Sequence, residues 1–170
     1  MASIAEIRLG EINAKEDLSL RLGDALDVKA SIGLAVILFL ATQSAYLLDK
    51  GLPRLGIVYQ IFSIACVVLA AIFSLWELWP MVYVLPSPES PEISHRIEEL
   101  RAHYSAYPDV ETLAAEAFMD DEIAWAAKRI ADNQKKNRKK SIRLELSFVF
   151  TGGAVVINLL TVLLSLRTIF

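Results

Sequence analysis

Apolar positions in this chain gather into three unbroken blocks, Ala30–Leu48, Leu55–Trp76 and Leu146–Leu166, each 19 to 22 residues long and free of Asp, Glu, Lys and Arg. A hydrocarbon core about 30 Å thick takes roughly 20 helical residues to cross. Backbone groups in lipid have no water to bond, which leaves helices and closed barrels as the spanning structures. None of the blocks alternates apolar and polar residues with a period of two, so each is predicted to be a helix. The fold class that follows is an all-α membrane protein: three transmembrane helices with a cytoplasmic helical hairpin and stem.

The stretches between the blocks complete the plan. Residues 1–29 read as an N-terminal amphipathic cytoplasmic helix. Ile12, Leu18, Leu22, Ala25 and Leu26 recur there at near-helical spacing, while Gly10 and Gly23 weaken the pattern. This helix either lies on the lipid surface or packs on the cytoplasmic helices. Residues 30–79 form a transmembrane hairpin, with spans 30–48 and 55–76 joined by the tight turn Asp49-Lys50-Gly51-Leu52-Pro53. Residues 80–145 open as an exit stiffened by Pro80, Pro86, Pro88 and Pro91, then continue as a helical hairpin. Ile93, Ile97, Leu100 and Tyr104 line one arm, Pro108 stops it, and Asp109 is a candidate N-cap for the next. Neither Gly nor Pro occurs from Glu122 until Gly152, so one helix is predicted to run from Glu122 through the third span, 146–166. Its stem, to Glu145, is roughly 36 Å long at 1.5 Å per residue. Ile123, Ala127, Ile130, Gln134, Asn137, Ser141 and Leu144 alternate steps of four and three along that stem. This heptad seam with a polar middle either fixes the register of a partner helix or faces water.

Charge changes the picture through its distribution. Between Lys128 and Arg143 stand eight basic residues and one acid, Asp132; between Glu89 and Glu122 stand ten acids with only Arg96 and Arg101. Either the acidic stretch packs beside the basic one, or the basic stem of Lys135, Lys136, Arg138, Lys139, Lys140 and Arg143 faces anionic lipid, at about 1 kcal/mol per residue near the surface. Fourteen of the 17 Lys and Arg lie on the N-terminal flank or between spans two and three. That bias places the N-terminus and stem in the cytoplasm and the C-terminus outside. Ten charges between Ile4 and Lys29 leave no room for a signal-peptide apolar region, so the first span reads as a retained anchor.

Candidate chemistry is sparse. Gln43 and Gln60 lie at similar depth in the two spans of the hairpin, and are expected to hydrogen-bond to each other or to a neighbouring protomer. The alternative for each is its own helix backbone or interfacial water. Thr42, Thr151, Asn158 and Thr161 read as helix glue or as the lining of a water path in an oligomer. His95 and His103 lack metal-ligand partners at suitable spacing. Asp120-Asp121-Glu122 point in different directions on a helix and read as charges matched to a helix start. Gly152-Gly153 marks close helix approach or a kink. Cys66 reads as a small buried apolar residue. No catalytic residue, cofactor, metal or nucleic-acid partner is expected. No Asp, Glu, Lys, Arg or His lies within a span, which argues against a proton pump or charge-coupled transporter.

One segment and one layout resemble a known family. Asp27-Val28-Lys29-Ala30 leads directly into span one, and a two-span hairpin, a cytoplasmic segment beginning near Pro86 and Pro88, and a helix bearing Asn133, Lys136, Asn137 and Lys140 before a last span follow it. This arrangement is similar to the membrane effectors of bacterial Pycsar anti-phage systems and to related two-span (SLATT-like) effectors beside nucleotide-signal synthases. The resemblance implies a bacterial inner-membrane protein that oligomerises and impairs membrane integrity, functionally coupled to a nucleotide cyclase. Independently of it, Asp27 and Lys29 stand two apart on a helix and do not face each other, so each needs its own partner. Lys29 can reach lipid phosphates, and Asp27 can pair with Arg143 or Lys140. The residues expected to carry function or interaction are Asp27, Lys29, Gln43, Gln60, Gln134, Asn137 and Asn158. The competing expectation is a structural or scaffolding subunit of a membrane complex.

Overall fold

The computed structural model describes residues 4–49, 54–85 and 91–167. Four helices account for nearly all of them: α1 (Ile4–Asp49), α2 (Arg54–Glu77), α3 (Pro91–His103) and α4 (Val110–Arg167). No strand occurs among the described residues. α1, α2 and α4 each contain a stretch long and apolar enough to cross a membrane. The expected turn at 50–53 and the prolines Pro86 and Pro88 lie outside the described residues. The helix predicted from Glu122 instead begins at Val110, and Leu113 N donates to the Asp109 carbonyl at 3.0 Å in its first turn. Neither Gly10 nor Gly23 interrupts α1.

The chain divides into two compact units, one of residues up to Leu22 with Val82–Lys136, the other of Gly23–Met81 with Asn137 onward. In the first, α3 and the start of α4 form an antiparallel hairpin clasped by ion pairs. Arg96 meets Asp121 at 2.8 Å and Arg101 meets Glu111 at 3.0 Å. Leu100 is buried, with Ile93, Ile97 and Tyr104 half-buried, so the expected apolar stripe forms. Arg129 grips the buried Glu16 of α1 with two hydrogen bonds, 2.6 and 3.2 Å. Those bonds, more than burial can offset, hold the Arg129 guanidinium above its usual pKa. Asn133 pairs like a strand neighbour with an extended segment, donating to Val84 O and accepting from Val84 N, both at 3.2 Å. Lys136 caps the same segment by donating to Val82 O at 2.5 Å. Of the apolar stripe expected of residues 12–26, Leu26 is buried and Ile12 half-buried, Leu18, Leu22 and Ala25 are exposed, and Glu16 and Ser19 are buried beside it.

The second unit is a three-helix bundle of α2 with the membrane-spanning parts of α1 and α4. Every helix buries residues at alternating steps of three and four. On α1 they are Gly23, Leu26, Ala30, Gly33, Ile37, Leu40 and Ser44; on α2, Gly56, Gln60, Ser63, Val67, Ala70, Ser74 and Glu77. On α4, Asn137, Lys140, Leu144, Ser147, Ala154, Asn158 and Thr161 follow the same rule, with Thr151 half-buried between them. This is coiled-coil spacing, in which one seam of each helix faces its neighbours. Small side chains line the seam: a side chain at Gly153 would lie in ordinary contact with Cys66 Sγ, at 3.7 Å, and one at Gly152 would meet open space. Bulky residues point outward, among them Ile32, Leu38, Phe39, Ile61, Phe62 and Leu163.

Candidate functional site

The site is the seam of this bundle, polar at both ends. Asn158 on α4 is the hub of one end. Its amide nitrogen donates to Ser44 Oγ on α1 at 3.2 Å, and its carbonyl oxygen accepts from Ser63 Oγ at 2.9 Å and Gln60 Nε2 at 3.1 Å on α2. Ser44 and Ser63 hydroxyls lie 3.3 Å apart, closing a ring through all three helices. Hydroxyl and amide groups in hydrocarbon find no water, and pairing across helices is what makes their burial tolerable. Beyond an apolar layer of Ile37, Leu40, Val67, Ala70 and Ala154, Ser74 and Ser147 meet at 2.7 Å, and Ser147 Oγ lies 3.1 Å from the Ala70 carbonyl.

Charge is concentrated at the opposite end. Lys140 on α4, 2% exposed, forms an ion pair with Asp27 on α1. Glu77, the last residue of α2, is fully buried and faces Asp27, Lys140 and Arg143. Neither Glu77 carboxyl oxygen has a hydrogen-bond partner. Arg143 donates to Trp76 O at 3.0 Å and lies over the Trp76 ring, 4.5 Å from its centroid. Two carboxyl groups and two cations thus meet where three helices converge, and Leu26, Ala30 and Leu144 pack as a buried cluster with Leu78 against it.

Several expectations change here. Gln60 pairs with Asn158, whereas Gln43 is exposed and turned from the seam; the spacing from Gly56 to Glu77 points Gln60 inward, and α1 presents Ser44 instead. The expected stem seam is displaced at alternate positions, with Asn133 and Lys140 buried where Gln134 and Ser141 were expected, while Ile130, Asn137 and Leu144 are shared. Lys140 is therefore not lipid-facing, because the seam passes through it and Asp27 compensates its charge. Lys136 and Arg143 are engaged by backbone carbonyls, and Lys135, Arg138 and Lys139 are the exposed members of the basic run. Of the two partners open to Asp27, Lys140 is the one it takes. Lys29 is exposed. Thr42, Thr151 and Thr161 hydroxyls bond carbonyls of their own helices. Composition does not single out Ser44, Ser63, Ser74, Ser147 and Glu77; extending Gln60 by alternating steps of three and four along α2 finds Ser63, Ser74 and Glu77.

Gln60→Leu is expected to lower stability in detergent, by roughly 0.6–1.7 kcal/mol for the lost interhelical bond, while Gln43→Leu is expected to leave it within about 0.5 kcal/mol. Melting curves of the two variants side by side check this contrast, and equal losses would contradict it.

Residues 17–167 match the sequence model of a family described as the Pycsar effector protein domain. No curated protein and no solved structure matches the chain.

Proposed function

The chain belongs to the Pycsar effector protein domain family, and on that footing we propose that this anti-phage membrane effector works without catalysis, by oligomerising in the bacterial inner membrane and impairing its integrity downstream of a cyclic-nucleotide signal. The N-terminus and the basic stem lie on the cytoplasmic side in this reading, and the C-terminus outside.

The observation that carries the proposal is the inverted polarity of the bundle. Its outer surface is Ile, Leu, Val and Phe, and its contact faces carry Ser, Gln, Asn and Thr. Lipid gives apolar faces no reason to associate, so small and polar residues hold the helices. The same hydroxyls and amides, exchanged between copies in a larger ring, offer water a hydrophilic surface on either side of the apolar layer of Ile37, Leu40, Val67, Ala70 and Ala154, while the outer faces stay in lipid. The ionic end supports a controlled version of this rearrangement. Asp27 on α1 pairs with Lys140 on α4 while Glu77 on α2 faces both, and an exchange of Lys140 from Asp27 to Glu77 releases α1 without stranding the cation.

Induced expression is expected to depolarise cells when the trigger is present, and Asp27→Ala to relieve the toxicity. Membrane-potential dyes and survival counts measure both. An intact potential with and without the trigger removes the proposal. Stable co-purification with a partner and no conductance of its own is the outcome expected of a scaffolding subunit instead.

A further inference from the structure

An apolar groove of about 210 Å³ runs between α1 and α4, lined by Lys29, Ile32, Gly33, Val36, Phe148 and Thr151. We propose that this groove binds one anionic phospholipid, with an acyl chain along its apolar floor and the headgroup phosphate on Lys29.

Its depth comes from a missing side chain. Gly33 is buried, and a Cβ there would stand 3.4 Å from the Phe148 ring and 4.0 Å from Ser74 Oγ. Thr151 spends its hydroxyl on the Ser147 carbonyl at 2.8 Å, so it offers the groove no free donor. Walls of Ile32, Val36 and Phe148 complete a surface that water has no polar reason to occupy. An unfilled groove forfeits the dispersion contacts of its lining. In a bilayer the filler at hand is hydrocarbon.

The chemistry at one end names the rest of the ligand. Lys29 precedes the first apolar block by one residue, which sets its ammonium at headgroup depth. Lys29 forms no ion pair among the described residues, and its neighbour Asp27 is held by Lys140. From Lys29 to Val36 the helix rises about 10 Å, so the groove runs from the headgroup level toward the bilayer centre. A cation at the mouth of a dry, membrane-directed groove is complementary to a phosphate attached to a long chain. A side chain from a second copy would fill the groove equally well but leave the Lys29 charge unmatched, which is why lipid is the occupant.

The test is native mass spectrometry of the full-length chain in detergent, titrated with phosphatidylglycerol or phosphatidylcholine of identical chains. The wild type is expected to retain one phosphatidylglycerol per chain with about fivefold preference over phosphatidylcholine, the factor one interfacial cation supplies. Lys29→Gln is expected to abolish the preference, Lys29→Arg to keep it, and Lys135→Gln to leave it unchanged. Val36→Trp, filling the groove, is expected to remove the retained lipid whatever its headgroup. Equal retention of the two lipids by the wild type overturns the proposal. So does an undiminished preference in Lys29→Gln, or a Val36→Trp chain that loses oligomers while keeping its lipid, the signature of a second copy in the groove. Lys29 is exposed, so the Gln and Arg pair decides the matter even if Val36→Trp fails to fold.

Discussion

Replacing Lys140 with Met is expected to lower the melting temperature of the detergent-solubilised chain by roughly 5–10 °C, corresponding to about 3 kcal/mol. Removing one partner of a buried pair costs more than the pair contributes, because the other partner stays behind uncompensated. Here two groups are left behind. The Asp27 side chain keeps 41% of its exposure and recovers part of its hydration, which holds the expected loss to the lower end of the range. Glu77 has no exposure and no hydrogen-bond donor, so it loses the cation that makes its burial tolerable. Arg143 cannot simply take over, since it already donates to Trp76 O and stacks on the Trp76 ring. Asp27→Asn is expected to cost less, about 1 kcal/mol, because Lys140 keeps Glu77 as a facing carboxyl. The decisive comparison is the double change Lys140→Met with Glu77→Gln. Withdrawing a cation and a carboxyl together is expected to recover at least half of the loss, a coupling a double-mutant cycle measures directly. Strict additivity would show that Glu77 and Lys140 do not share the site.

The spans were legible because length and the absence of charge suffice to mark a membrane helix, whatever it packs against. The helix faces were less so. Along the stem, two seams share Ile130, Asn137 and Leu144 and differ in whether Gln134 and Ser141, or Asn133 and Lys140, lie between them. A single helix read alone favours Ser141, because a buried lysine without a visible counter-charge is expensive. The information that reverses the choice sits on two other helices, at Asp27 and Glu77, more than sixty residues away in sequence. The first helix was legible in part for a related reason. Leu26 of its apolar stripe is buried and Leu18 and Leu22 are exposed, while Glu16 and Ser19 are buried, since Arg129 supplies Glu16 with a partner that no local pattern announces. Within the spans, Gln60 and Asn158 were recognisable as polar residues in hydrocarbon that must find partners. That they find each other, with Ser44 and Ser63, depends on which helices are neighbours at that depth, and serines are too common in membrane helices to be picked out singly.

Asn158→Leu is expected to cost the bundle about 2–3 kcal/mol, because one amide serves three partners and each interhelical bond in a membrane is worth roughly 0.6–1.7 kcal/mol. Ser44 loses its donor, Ser63 and Gln60 lose their acceptor, and the Gln60 carbonyl oxygen already stands without a partner. The neighbouring Leu159 is exposed, so Leu159→Ala is expected to change stability by less than about 0.5 kcal/mol, which makes the pair a test of register as well as of chemistry. Apolar replacement of the whole ring, Ser44→Ala, Gln60→Leu, Ser63→Ala and Asn158→Leu together, is expected to cost less than Asn158→Leu alone, since no buried donor or acceptor is left over. The same fourfold change removes the hydrophilic groups that an opened assembly would present to water. It should therefore separate the two roles of the seam: melting in detergent close to the wild type, with membrane depolarisation on induction lost. A fourfold variant that melts normally and still depolarises cells would show that the polar ring is required neither for the bundle nor for the depolarisation.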